Sequence, residues 1–176
     1  MADLLQEIEA IPTSYPNVQS GLTARDAAVA WQRIEAYTRT RYTAREVVWT
    51  FEGREGEGWT PPLSPVTAHM AEKWEGGAWV SVTLADGPVG LCLPSDGVFR
   101  VTAQVGDGNQ PAAVSEAFRR LAEYMADDTD RAGVSSYSVN MGGAIQESYQ
   151  RSAAHAARAL QNSGAADLLR PYRRQK

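Results

Sequence analysis

Between residues 46 and 105 the apolar side chains recur with the period of β-strands, and on both sides of that stretch they recur with the period of helices. In Glu46–Glu52, Val47, Trp49 and Phe51 alternate onto one face, and the segment is rich in β-branched and aromatic residues. Gly53–Gly58 reads as a loop, and Pro61, Pro62 and Pro65 hold the residues after it extended. Val66, Ala68 and Met70 then alternate, Glu75-Gly76-Gly77 turns the chain, and Trp79–Leu84 returns with Val80, Val82 and Leu84 on one face. Asp86-Gly87-Pro88 marks another turn before a short strand at Val89–Leu93. Asp96-Gly97 leads into a clear strand at Val98–Val105, which Gly106–Asn109 ends.

The flanking helices have their own signals. Thr23 with Asp26 three residues on resembles a capping box, and Asp26 places negative charge at the positive end of the helix dipole. Ala27, Ala30, Trp31, Ile34, Tyr37 and Tyr42 follow at near-helical spacing, with Trp31 and Ile34 as expected core residues. Pro111 suits the first position of a helix whose stripe is Val114, Ala117, Phe118, Leu121, Ala122 and Met125. Residues 131–143 are rich in Gly and Ser and read as a connector. Ile145–Gln161, with five alanines between 153 and 159, reads as a long small-surfaced helix with its C-cap at Asn162-Ser163-Gly164. At the other end, Leu4, Leu5, Ile8 and Ile11 have helical spacing over about two turns, so residues 1–11 read as a short docked helix or an arm.

The sequence therefore predicts an α+β fold. Its helical core has an N-terminal helix over 23–42 and two C-terminal helices over 111–127 and 145–162. An antiparallel β-hairpin and sheet region is inserted over 46–105, and an extended basic arm ends the chain. One domain over 1–164 and a docking arm over 165–176 are expected.

A chain of 176 residues suits one domain, and an apolar content of 43% is globular. Nothing approaches the run of about 18 apolar residues that crosses a bilayer, so no membrane partner is expected. The first residues lack a signal-peptide pattern, which points to assembly in the cytoplasm. The single cysteine, Cys92, lies between two leucines and reads as a small buried hydrophobe in a reducing compartment. The net charge of −4 argues against a surface that clamps nucleic acid as a whole. The charge is uneven: residues 1–10 hold Asp3, Glu7 and Glu9 without a cation, and residues 170–176 hold Arg170, Arg173, Arg174 and Lys176 without an anion.

The residues offer little to catalysis. His69 and His155 have no second His, Cys or carboxylate at ligand spacing, so no metal is expected. There is no G-x-S-x-G, and Gly106-Asp107-Gly108 lacks the continuation of a phosphate loop. Asp127-Asp128-Thr129-Asp130 lacks the Gly and Glu of a Ca²⁺ loop and reads as a frayed helix end. No enzyme and no cofactor is expected. The tryptophans and tyrosines are assigned to core and subunit contacts.

The final stretch, Leu168-Leu169-Arg170-Pro171-Tyr172-Arg173-Arg174-Gln175-Lys176, carries the candidate site. A free end of this kind suits an arm that anchors apolar and aromatic groups in a partner's pocket and adds charge at the rim. Leu168, Leu169, Arg170, Pro171, Tyr172, Arg173 and Arg174 are the candidate partner-binding residues. Deleting 168–176 is expected to abolish that binding and leave the fold intact.

Several stretches together resemble the head-tail connector (adaptor) proteins of long-tailed double-stranded DNA phages and gene transfer agents. Ala28–Thr38 is similar to that family's first core helix, and Arg41–Trp49 to its step into the first strand. Phe99–Gly106 resembles the strand that ends in Gly before a helix opened by Pro, here Pro111 and the helix through Arg119–Tyr124. Ser136–Gly143 and Leu168–Arg174 resemble the family's C-terminal pattern, with Gly142-Gly143 where many members have Gly-Asp. The resemblance covers most of 23–176.

The resemblance implies a structural virion protein of the neck. Twelve copies would form a ring beneath the portal protein, continue the DNA channel and receive head-completion (stopper) or tail proteins on the far face. The C-terminal residues would dock on the portal, and double-stranded DNA would pass without sequence-specific binding. A net acidic protein suits that passage, because it releases few counterions from DNA. The alternatives are another neck protein (a stopper or tail terminator) and a nucleic-acid-binding module using the arginine-rich end.

Overall fold

Strand pairing begins with the segment whose alternation is clearest. In the computed structural model, which describes residues 2–18, 22–129, 136–141, 145–150 and 158–174, strand β2 (Arg45–Gly53) pairs antiparallel along its whole length with β8 (Gly97–Val105). The other strands of this region are β1 (Asp3–Glu9), β3 (Gly58–Trp59), β4 (Val66–Glu75), β5 (Ala78–Val82), β6 (Ala85–Gly87) and β7 (Gly90–Cys92). They form a five-stranded antiparallel sheet in the order β1-β2-β8-β4-β5 and a three-stranded sheet in the order β3-β7-β6. The expected mix of helices and antiparallel sheet is present.

The chain divides into two units. One comprises Met1–Pro16, Arg39–Asn109 and Arg174–Lys176, and the other Asn17–Thr38 and Gln110–Arg173. The first unit holds both sheets. Its core forms on one face of the large sheet, from Val47, Trp49 and Phe51 of β2, Phe99, Val101, Ala103 and Val105 of β8, and Ala71 of β4. The small sheet and its connections bring Trp59, Leu63, Leu84, Leu91 and Leu93 into the same cluster. Trp59 is the joint: its ring stacks on Phe51 at 4.3 Å and meets Trp49 edge-on at 5.6 Å. Such aromatic pairs add about 0.5–1.5 kcal/mol beyond the area they bury. Cys92 is a half-buried free thiol in the small sheet.

Two turns show why their sequences are as they are. Gly76 and Gly77 both have positive φ (57° and 85°), the pattern of a tight hairpin turn whose twist matches the flanking strands. Gly106 ends β8 with φ 99°, and a Cβ there would lie 2.6 Å from the Thr43 carbonyl oxygen. Gly106→Ala is therefore expected to cost at least about 1–3 kcal/mol, read as a lower urea midpoint with an unchanged m-value.

In the second unit, α1 (Ala24–Thr38) packs on α2 (Ala112–Thr129) through the stripes the sequence predicts. Trp31 stacks on Phe118 at 4.7 Å, and Ala30, Ile34, Val114, Ala117, Leu121 and Ala122 are buried. The expected cap is formed: the Asp26 N–H donates to Thr23 Oγ1 at 3.3 Å, and the Thr23 hydroxyl donates to Asp26 Oδ2 at 2.6 Å. The unit continues with β9 (Ser136–Met141), β10 (Ile145–Gln150), α3 (Ala159–Asn162), α4 (Ala165–Leu169) and a 3-10 turn over Arg170–Tyr172.

Four expectations are corrected. Residues 3–9 form strand β1 instead of a helix or loose arm, because the free edge of β2 supplies backbone partners that a two-turn helix lacks. α1 ends at Thr38, short of 42, and Arg39 follows it with φ 59°. The helix expected over 145–162 is absent from its first part: Ile145–Gln150 pairs with Ser136–Met141, a segment read as connector. The alanines that favour a helix lie at 153–159, and residues 151–157, including His155, fall outside the described residues. The C-terminal arm is not extended over 165–172: the one further turn that Ala165–Leu169 suggests before Pro171 is formed as α4, and a 3-10 turn follows it.

Candidate docking surfaces

The C-terminal residues reach their places through a glycine. Gly164, with φ 73°, turns the chain between α3 and α4, and α4 packs on α1 and α2. Leu169 is fully buried there and Leu168 half-buried, so Leu169 belongs to the core of its own unit and is not available to a partner's pocket. Removing 168–176 therefore takes away a core side chain, contrary to the expectation that the fold would be left intact.

Beyond Leu169 the side chains turn outward. Arg170, Pro171 and Arg173 are exposed, and Tyr172 and Arg174 half-buried. Arg173 lies over the Tyr37 ring, 5.4 Å from its centroid, and the Tyr37 hydroxyl donates to the Ala166 carbonyl at 3.5 Å. Arg174 Nη1 donates to the Pro61 carbonyl at 3.4 Å. Arg170 has no ion-pair partner among the described residues.

The cations of α2 are engaged differently. Glu116 accepts from Arg119 Nε at 2.8 Å and from Arg120 Nε at 2.9 Å, and Arg119 also pairs with Glu123. Hydrogen bonds from Arg119, then from Arg120, hold the Glu116 carboxyl down to about 2. A carboxyl-detected NMR titration is expected to place its midpoint near that value. With their charge balanced within the helix, these arginines contribute less to a basic surface than their number suggests.

The first unit has a second surface, which the sequence did not reveal. β1 is held by its acids. Glu9 accepts from Arg41 Nε at 2.5 Å, Arg41 Nη2 at 2.6 Å and Arg45 Nη1 at 2.9 Å, and Glu7 accepts from the Trp49 indole N–H at 2.8 Å. Burial pushes the Glu9 carboxyl up, but the Arg41 and Arg45 guanidiniums outweigh it and leave it below the ordinary carboxylate range. These bonds fix β1 while its apolar side chains stay outside: Leu5 is 58% and Ile8 54% exposed.

The strand register extends this apolar surface across the outer face of the large sheet. Ile8 is paired with Val48, Val48 with Thr102, and Thr102 with Met70, which is 71% exposed. On the same face Trp74 and Trp79 meet edge-on at 5.1 Å, and Arg100 lies over Trp79 at 4.4 Å while it pairs with Glu72. With Ile8 and Met70 exposed and Val48 and Thr102 half-buried, this row is a candidate contact surface. Its sequence signal was the alternation of Glu7 and Glu9 against Ile8 beside the edge-forming Trp-Glu-Gly-Gly-Ala-Trp hairpin. His69 is exposed. Among the described residues no three His, Cys, Asp or Glu side chains are grouped to hold a metal ion.

No family model and no curated protein matches the chain. Among solved structures, a chain in one described as the neck of an empty GTA particle computed with C6 symmetry has the same fold. The two share a TM-score of 0.56 at 16% identity, over 100% of this chain and 96% of the other.

Proposed function

We propose that this chain is a structural neck protein of a phage-like particle or gene transfer agent, a head-tail adaptor without catalytic activity. Copies form a ring below the portal, extend the DNA channel and offer an attachment site to head-completion or tail proteins. The observation that carries this reading is the fold shared along the full length with a chain from a particle neck. The connector-like sequence of Ala28–Thr38, Arg41–Trp49, Phe99–Gly106, Pro111 with Arg119–Tyr124, Ser136–Gly143 and Leu168–Arg174 supports it independently. A net charge of −4 suits a channel through which DNA slides.

The portal-facing surface, in this reading, is the outward part of the C-terminal segment: exposed Arg170, Pro171 and Arg173 with half-buried Tyr172, and Leu169 as the core anchor that presents them. An exposed Arg beside a half-buried Tyr on a helical turn suits hot-spot contacts at a partner's surface. Arg170→Glu together with Tyr172→Ala is expected to weaken binding to the particle's portal protein roughly 30-fold, about 2 kcal/mol, and to leave the circular dichroism spectrum unchanged. Unaltered affinity would remove this segment from the portal contact. A second reading is a stopper or tail terminator, because the six-fold symmetry imposed on the similar neck structure admits rings of six as well as of twelve copies. Counting subunits in the isolated ring separates the two: twelve for the adaptor, six for the alternative.

A further inference from the structure

The large sheet ends in two strands with open outer edges, β1 and β5, and the chemistry of the two edges differs. β1 carries Asp3, Glu7 and Glu9 with no cation, and a bulge breaks its register between Leu4 and Gln6. Glu9 is paired with Arg41 and Arg45, and β1 set against β1 of another copy would close a two-fold pair and leave the apolar β5 edge uncovered. β5 is Ala78-Trp79-Val80-Ser81-Val82, with no ionisable side chain, no proline and no bulge in its pairing with β4. A regular, uncharged, apolar edge is a template for another strand. Val80 of β5 is 47% exposed, and Leu4, Leu5 and Ile8 of β1 are exposed as well.

We infer that the outer edge of β5 receives β1 of a second copy, so that the five-stranded sheet continues from one subunit to the next. A β5–β5 contact would be compatible in charge, but it would close a two-fold dimer and leave Leu4, Leu5 and Ile8 uncovered. The β1–β5 contact uses unlike surfaces of the same chain, which is the heterologous type that closes rings. It rests on the ring reading above. Four antiparallel steps separate β1 from β5, so the two strands run in the same direction. A neighbour related by rotation about an axis along the strands therefore presents β1 parallel to β5. The register names the meeting point. Gln6, Thr50, Arg100, Glu72 and Ser81 form one cross-strand row, and its two end residues, Gln6 and Ser81, are exposed on the same face.

The test is cross-linking in a full-length Cys92→Ala background. Gln6→Cys and Ser81→Cys proteins are oxidised separately and as a mixture, at the highest soluble concentration and in rings assembled with portal protein. The expected result is a disulfide-linked dimer from the mixture and none from either variant alone. Dimers from either variant alone, or none from the mixture, overturn the contact. Electron microscopy of the same samples separates the two ideas: rings without cross-links leave the ring reading standing and remove this contact, and cross-links without rings do the reverse. Charge gives a second readout. Ser81→Glu is expected to weaken self-association at least tenfold by placing a charge in the apolar contact opposite Gln6, and Gln6→Lys is expected to restore the Ser81→Glu protein. Failure of Gln6→Lys to restore the Ser81→Glu protein contradicts the Gln6–Ser81 meeting point.

Discussion

Leu169→Ala is expected to destabilise the protein by about 2–5 kcal/mol, the usual cost of truncating a fully buried leucine. Leu169 is completely buried, at the end of a helix of only five residues, Ala165–Leu169. So short a helix has little stability of its own and depends on the side chains it buries. The other small residue that α4 buries is Ala165, so Leu169 supplies most of its apolar anchorage. Its loss leaves a cavity that α1 and α2, fixed by the Trp31–Phe118 stack, are poorly placed to fill. Urea unfolding checks this. A midpoint within experimental error of the unaltered protein would mean that the C-terminal segment is held by something other than Leu169. The variant is also expected to bind portal less well, because Arg170 and Tyr172 lose the anchor that presents them.

Glu9→Ala is expected to cost about 2–4 kcal/mol, somewhat below the range for breaking a fully buried ion pair. Glu9 keeps 24% of its side chain exposed, which moderates the loss, but the Arg45 side chain is only 4% exposed and Arg41 only 11%. Without the carboxylate two guanidiniums face each other in a nearly closed site. The effect has a pH signature. The Glu9 carboxyl is lowered in the folded protein, because the two arginines outweigh the burial that raises it. Stability from this group is therefore complete above the unfolded carboxyl value, about 4.3, and is lost as pH falls through the lower folded value. The gap in stability between the unaltered protein and Glu9→Ala is expected to be widest near neutral pH and to narrow below about pH 4. A gap independent of pH would show that Glu9 acts through packing alone. Hydrogen exchange adds a local readout: the amides of β1 are expected to lose protection before those of β8.

How much of this was legible in the sequence varies from element to element, for physical reasons. The alternation of Val47, Trp49 and Phe51 and the stripe of Val114, Phe118 and Leu121 were legible because each segment buries one whole face, which imposes a period. β1 was not. Leu4, Leu5, Ile8 and Ile11 fit a helix by spacing, and an edge strand that leaves its apolar residues outside shows no alternation of burial. What makes it a strand is the open edge of β2, about forty residues away and invisible to a local pattern. β9 and β10 were missed because each draws its backbone partners from the other, while the alanines that favour a helix begin only at 153. The C-terminal candidates were legible in part. Of the arginines that charge pointed to, Arg170 and Arg173 are exposed and Arg174 is half-buried, and five residues carry too little periodicity to show that Leu169 is buried and Leu168 only half-buried.

The most direct measurement is a cryo-electron microscopy map of the assembled particle at a resolution that identifies side chains, with this chain traced in it. The expected result is a closed ring of copies between the capsid vertex and the tail, DNA or an open channel at its centre, and Arg170–Arg173 against the protein on the capsid side. Finding the chain in the capsid lattice, along the tail tube, or absent from the finished particle would contradict its assignment to the neck.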